Sequence, residues 1–187
     1  MRTFAHILSS IASLGAMLFF TSACENEVQK VRTLTKTERI PLEVQTDLFL
    51  EYSDSTRKKM ELEAPLAESY PNLPSPQREF RKGLTVRFFN DYGQLDSRLR
   101  ADYALQFIDK NLWEARGDVV VVNQKGEQLN TEKLFWDSKT ELIYTDEFVK
   151  ITTPTEVIMG EGFKADQNFS NYEIYKVTGT LNIEDDV

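Results

Sequence analysis

The stretch from residue 112 to residue 163 most constrains the fold, because turn residues interrupt it about every 8–15 residues. The apolar-rich runs in it are 112–122, 128–136 and 142–152, and the turns between them are 123–126 and 137–140. Gly126 can adopt a positive φ, which suits a tight turn. Runs this short leave no room for helices and predict antiparallel strands.

A strand-turn-strand pattern recurs faintly along the chain. Segment 119–136 echoes segment 86–103, in which residues 90–93 form the turn, and 112–115 (LWEA) resembles 142–145 (LIYT). Repetition of this kind favours a structure that grows lengthwise by adding similar units. Further strands are predicted at 42–52, 59–67, 84–89, 101–108 and 172–183, with a proline-rich loop at 70–76.

A helix is the rival prediction for residues 95–107. Leu95, Leu99, Tyr103 and Phe107 are spaced by four, which suits a helical face. The echo between this segment and 128–136 favours a strand instead. The predicted fold class is therefore all-β: an open, twisted antiparallel β-jellyroll of repeated strand-turn-strand units.

The first 37 residues differ in composition from the rest. Arg2, an apolar run at 7–20 and the small residues before Cys24 predict a signal peptide over 1–23. Cys24, the only cysteine, stands at the expected cleavage point and resembles the lipidated cysteine of bacterial lipoproteins. The alternative is an uncleaved anchor with a chance cysteine. Residues 24–37 are polar and predict a tether, and 38–187 form the predicted domain.

The charge and the missing residue types exclude several functions. The net charge of −8 argues against nucleic-acid binding, which requires clustered cations. His6 is the only histidine and lies in the predicted signal peptide, so Ser-His-Asp catalysis and the usual zinc sites are excluded for the domain. Carboxylate-pair chemistry stays formally open. The protein is predicted not to be an enzyme and to need no cofactor or metal.

Large apolar side chains recur along one face of several predicted strands, such as Ala101, Tyr103, Leu105 and Phe107 on the strand at 101–108. They form either a sealed core or a trough between two sheets that holds a lipid. The periodicity does not separate these alternatives. The candidate groove residues are Phe88, Tyr103, Leu105, Phe107, Trp113, Val119, Val121, Leu134, Trp136 and Ile151.

The order of these features resembles the LptC family, the periplasmic component of the lipopolysaccharide export machine. The strongest part of the resemblance is WEARGDV at 113–119, followed by the turn at 123–126 and LNTEKL at 129–134. Other parts are 48–52, MELEAPLAESY at 60–70, 80–83, 136–137, 144–146, 149–151 and GEGFKAD at 160–166. The resemblance covers residues from about 38 to the C-terminus.

The resemblance implies a groove for the acyl chains of lipopolysaccharide. It also implies docking of the N-terminal edge on the transporter subunits LptF and LptG, powered by LptB, and of the C-terminal edge on an LptA-like bridge protein. The protein would then sit at the periplasmic face of the inner membrane. Family members usually keep an uncleaved membrane helix, whereas Cys24 indicates a lipid anchor in this chain.

Two other functions are compatible with the sequence. One is a surface-exposed β-sandwich lipoprotein that binds carbohydrate or another protein, for which an exposed aromatic platform is expected. The other is a structural scaffold with a fully packed interior.

Replacing Cys24 with Ala is expected to leave an unprocessed precursor that carries no lipid, because the acylated thiol is lost. Electrophoretic mobility and labelling with a radioactive fatty acid measure both effects. Normal processing of the variant would contradict the lipoprotein prediction.

Overall fold

The computed structural model describes residues 39–182. These residues form eleven strands, and their only helical segment is a short 3-10 turn at Ile108–Lys110. The strands are β1 (Glu43–Asp54), β2 (Arg57–Tyr70), β3 (Gln77–Phe80), β4 (Leu84–Phe89), β5 (Leu95–Ala101), β6 (Tyr103–Phe107), β7 (Leu112–Asn123), β8 (Gln128–Asp137), β9 (Leu142–Thr152), β10 (Glu156–Asp166) and β11 (Tyr172–Asn182). The all-β prediction is confirmed. The predicted signal peptide, Cys24 and the tether lie outside the described residues.

The structure refines the predicted strands. The rival helix at 95–107 is replaced by β5 and β6, which are separated by Asp102. Two strands, β3 and β10, were not predicted: β3 is only four residues long, and Gly160 and Gly162 weaken the strand signal of β10. The echoing segments 86–103 and 119–136 both fold around hairpins, as expected from their turn residues.

Strands β2 and β7 each pair with two sets of neighbours, which divides the continuous eleven-stranded sheet into two halves that we call sheet 1 and sheet 2. In sheet 1, the first half of β2 pairs with β4, β4 with β5, and β5 with the second half of β7. In sheet 2, the second half of β2 pairs with β3, β3 with β6, and β6 with the first half of β7. These six strands close a ring, and β8 to β11 extend it from β7 by antiparallel pairing.

The two sheets meet along a line that we call the crease, formed in the ring by Pro65, Gly83, Asp102 and Gly117. Asp102 lies between β5 and β6, and its N–H donates to the carbonyl oxygen of Gly117 at 3.0 Å. Pro65 is tolerated in the middle of β2, because residues 64–67 have no register partner on the β3–β4 side. The crease therefore sits where ladder pairing is interrupted.

The crease continues through the longer strands as shifts in register. Such shifts occur between Arg116 and Val119 in β7 and between Thr131 and Phe135 in β8. In β10 they occur between Met159 and Gly160 and between Glu161 and Phe163. Bulges of this kind bend a strand and increase its local twist. Each long strand can therefore contribute one half to sheet 1 and the other half to sheet 2.

The sheet has two free edges among residues 39–182. Strand β1 pairs only with β2, and β11 pairs only with β10. Asp47 has a φ of +52° and bulges from β1 opposite Pro65, between the pairs Thr46–Leu66 and Leu48–Ala64. Both edge strands expose large apolar side chains: Val44, Phe49, Tyr52, Tyr175, Val177 and Leu181.

Gly83 is required at the crease for two reasons. Its φ is +77°, and an added Cβ would lie 2.5 Å from the carbonyl oxygen of Ala101. We expect Gly83→Ala to lower the free energy of unfolding by ~3 kcal/mol or more, because backbone strain and steric overlap add.

The matched control for this change is Gly126→Ala. Gly126 has the same φ of +77° and nothing within 4 Å of an added Cβ. Strain alone predicts a loss of ~1–2 kcal/mol there. Equal losses for the two variants in urea unfolding would contradict the close approach at the crease.

Candidate functional site: the apolar interior between the sheets

Cross-strand register places the apolar side chains of β7 and β8 on the inner face. Trp113 pairs with Trp136, Ala115 with Leu134, and Val121 with Leu129. Side chains directly opposite each other on neighbouring strands point to the same side of the sheet. The rows continue into β9, where Ile143 follows Trp136 and Ile151 follows Leu129. The inner face is therefore apolar on both sides of the crease.

Four aromatic rings fill one part of this interior. Phe80 of β3 stacks on Trp113 with ring centroids 5.7 Å apart, and Trp113 lies 5.6 Å from Trp136. The ring of Phe88 meets Trp136 edge-on at 5.1 Å. Phe88 belongs to sheet 1 and Trp136 to the sheet 2 half of β8, so this pair joins the two sheets. Such pairs contribute ~0.5–1.5 kcal/mol beyond their burial.

A second aromatic cluster lies towards β11. The ring centroid of Phe163 lies 5.8 Å from that of Phe169 and 6.1 Å from that of Tyr172. Both phenylalanines are fully buried, whereas Tyr172 is half-buried. Apolar side chains thus line the interior from β3 to β11.

The interior is closed in this conformation. The cavity bounded by Leu84, Phe88, Trp113, Leu134 and Trp136 measures about 20 Å³. A volume this small holds at most about one water molecule. A larger cleft, of about 500 Å³, lies at the crease and carries charged side chains such as Lys82 and Arg100.

The structure brings together seven of the ten predicted groove residues. Phe88, Val119, Val121, Leu134 and Ile151 belong to the buried apolar cluster, and Trp113 and Trp136 pack against it. Tyr103, Leu105 and Phe107 do not belong to it. Contact of any of these side chains with lipid stays a prediction.

The prediction that Ala101, Tyr103, Leu105 and Phe107 share one face is wrong. Asp102 interrupts the strand at the crease, so the alternation starts again one residue out of phase. Ala101 and Ala104 therefore face inward, and Leu105 lies opposite Glu79 and Glu114 on the outer face. Sequence periodicity gave no sign of this slip. Sequence periodicity also did not identify Phe80, Phe163 and Phe169 as interior residues.

The outer face around Leu105 carries a buried ionic network. Glu79, which is only 5% exposed, accepts hydrogen bonds from the Tyr103 hydroxyl at 2.7 Å and from Arg81 Nη2 at 3.3 Å. Arg39 Nη2 lies 3.1 Å from the same carboxylate. Glu114, 7% exposed, pairs with Arg116 at 2.7 Å. Each buried carboxylate thus has a cationic partner, as burial of charge requires.

This network changes the acidity of Tyr103. Burial, followed by the hydrogen bond to Glu79, raises the pKa of the Tyr103 phenol to about 12. The neutral phenol donates to the carboxylate, whereas a phenolate would be repelled by it. Among residues 39–182, no group of three or more His, Cys, Asp or Glu side chains is placed to hold a metal ion.

The raised pKa of Tyr103 predicts a pH effect on stability. A pKa of about 12 in the folded protein, against 10.0 ordinarily, means that the contribution of the phenol is complete below pH 10 and is lost between pH 10 and 12. We expect Tyr103→Phe to make the free energy of unfolding less dependent on pH in this range. Parallel urea titrations of both proteins test this, and identical slopes would contradict it.

Comparison with known proteins agrees with this architecture. The family model described as LptC, lipopolysaccharide-assembly, LptC-related, matches residues 11–182. The match includes all eleven strands and covers most of the 187-residue chain. A search of curated proteins found no match. Within residues 39–182 there is no helix with the length and hydropathy needed to cross a membrane. The chain therefore belongs to the LptC family and has a role in lipopolysaccharide transport.

Proposed function

We propose that this protein is tethered to the periplasmic face of the inner membrane through Cys24 and conducts lipopolysaccharide along its interior. It receives the lipid from the inner-membrane ABC transporter and passes it to the next periplasmic bridge protein. Family membership supports the general role in lipopolysaccharide transport. The interior geometry supports the more specific statement about the path.

The observation that carries the proposal is the continuity of the apolar inner face. Phe80 of β3 stacks on Trp113 of β7, and from there Trp113 pairs with Trp136 of β8 and Trp136 pairs with Ile143 of β9. Beyond them, Ala165 of β10 pairs with Ile143, and Tyr172 of β11 pairs with Ala165. An acyl chain that moves along this row keeps contacts with apolar or aromatic side chains from β7 to β11.

Entry of an acyl chain requires the two sheets to separate, because the cavity of about 20 Å³ is too small for it. Separation exposes core side chains, which is unfavourable. Burial of the lipid offsets this, since each buried methylene contributes ~0.8 kcal/mol. Exchange of core contacts for lipid contacts needs no covalent step in this protein, and the energy for net transport comes from ATP hydrolysis by the transporter.

The two free edges supply the docking sites in this proposal. Strand β1 takes the LptF/LptG transporter with LptB, and β11 takes an LptA-like protein. Both strands have one edge without a backbone partner among residues 39–182, and both expose apolar side chains. Strand addition would satisfy the unpaired backbone groups and continue the inner face into the partner.

The alternative of a carbohydrate-binding lipoprotein has less support. Its aromatic platform was expected from exposed rings, but Trp113 and Trp136 pack against the apolar core. No tryptophan is therefore available for a platform among the described residues, and the exposed rings of Phe49, Tyr52 and Tyr175 lie on the edge strands β1 and β11.

Site-specific photocrosslinking in living cells tests the path. A photoreactive phenylalanine derivative replaces Trp113 or Trp136, which conserves an aromatic side chain of similar size. We expect adducts with lipopolysaccharide at both positions, detected by blotting.

Phe107 is the matched control, because it is aromatic and half-buried but lies outside the buried apolar cluster. We expect no adduct from Phe107 or from the surface residue Lys125. Adducts at Phe107 with none at Trp113 and Trp136 would place the lipid on the outer face. Absence of adducts at all four positions in a folded, anchored protein would reject the transport proposal in favour of a sealed core.

A further inference from the structure

Five residues, 167–171, connect β10 to β11 and form a compact segment that we call the plug loop. Its start is organised by Asp166. The Asp166 carboxylate accepts hydrogen bonds from Ser170 N–H at 2.7 Å and from Asn171 Nδ2 at 3.0 Å. The Asp166 carbonyl oxygen accepts from Phe169 N–H at 2.9 Å. The loop is thus a defined structure and not an irregular connection.

The plug loop is bound to both sheets at the side opposite the crease, which we call the mouth. From sheet 1, Ser97 Oγ donates to the Gln167 carbonyl at 2.9 Å, and Asn123 Nδ2 donates to the Phe169 carbonyl at 2.9 Å. From the sheet 2 half of β8, Trp136 Nε1 donates to Gln167 Oε1 at 3.2 Å. The loop therefore spans the gap between the two sheets.

Phe169 is unusual for a loop residue. Its side chain is 0% exposed. The centroid of its ring lies 5.8 Å from that of Phe163 and 5.1 Å from that of Tyr172. Its φ is +54°, a left-handed conformation that bulky side chains seldom adopt. A residue held in such a conformation indicates that the surrounding contacts impose it. The surroundings here hold an aromatic ring inside the apolar interior.

We infer that Phe169 occupies an acyl-chain subsite of the interior, and that the plug loop leaves the mouth when a lipid chain enters. When no lipid is bound, the ring of Phe169 fills the subsite. The interior then contains neither an empty cavity nor water at this position. This inference rests on the transport function proposed above. It identifies the plug loop as the part of the interior that moves when lipid enters.

Three features make the plug loop easier to displace than a strand. It is attached to the rest of the protein by three side-chain hydrogen bonds and by one backbone hydrogen bond, from the Gln167 N–H to the Glu141 carbonyl oxygen at 2.9 Å, and not by a ladder. Its departure releases Phe169 from the left-handed conformation. Its first anchor, Asp166, also acts on Asp96 of β5: burial, and then the negative charge of Asp166, raise the pKa of Asp96. Repulsion between the two carboxylates therefore opposes closure of the mouth.

The test uses the full-length chain with the photoreactive residue at position 113, which does not contact the plug loop. In this background we compare Phe169→Ala with Phe163→Ala. Both changes remove a fully buried phenyl ring from the same cluster, but only Phe169 belongs to the loop. We expect Phe169→Ala to raise the yield of lipopolysaccharide adduct at least about twofold while lowering the thermal midpoint, because the empty state loses its plug. Phe163→Ala should lower the midpoint with no gain of adduct.

Ser97→Ala is the milder second variant. It removes one tie to the loop and leaves Phe169 in place, so it keeps the test valid if Phe169→Ala does not fold. We expect an increase in adduct in the same direction. Hydrogen exchange of the plug-loop amides, measured on the purified chain with and without lipopolysaccharide, should become faster when lipid is bound.

The outcomes separate the two proposals. If the parent protein forms adducts but neither Phe169→Ala nor Ser97→Ala raises their yield, the plug is wrong and the transport path stands. If the plug-loop amides keep their protection in the lipid complex, the plug is likewise wrong. If no protein in the series forms an adduct, the transport path fails and the plug fails with it.

Discussion

The fold depends on the requirement that long strands bend at the crease without losing their partners. A ladder of hydrogen bonds resists bending, so the bend occurs where pairing is interrupted: at Pro65 in β2, at Asp102 between β5 and β6, and at Gly117 in β7. The hydrogen bond from the Asp102 N–H to the Gly117 carbonyl oxygen joins the β5–β6 junction to β7 within the ring. Two sheets that face each other follow from this bend, and so does the enclosed apolar space between them.

Closure of that space is a compromise between stability and access. A domain of this kind needs a packed core in order to fold, because voids and wet apolar surface are costly. A lipid carrier needs the same volume for its cargo. The aromatic contact of Phe88 with Trp136, and the buried ring of Phe169, fill the interior, and under the proposed function these are the contacts that lipid would replace. The outer face provides a contrast, since the ionic contacts around Glu79 have no such substitute.

Sequence reasoning predicted the all-β class, most of the strands and the placement of seven interior residues. It succeeded where local pattern and turn chemistry agree, as in the hairpin around Gly126. It failed at Asp102, because a one-residue slip at a bend reverses every side chain after it and depends on contacts with a distant glycine. It also failed at Phe169, since nothing in a polar loop sequence indicates that its one aromatic ring turns inward. Both failures concern tertiary contacts that periodicity does not record.

The bulge at Asp47 has a consequence for self-association. The two free edges lie at opposite ends of one sheet, so a second copy could in principle add its β11 to β1 and begin an open filament. Asp47, with its left-handed backbone, divides the β1 edge into two short segments, 43–46 and 48–54. An interrupted edge disfavours the addition of a long regular strand. The irregularity thus works against the growth of a filament from copies of this chain.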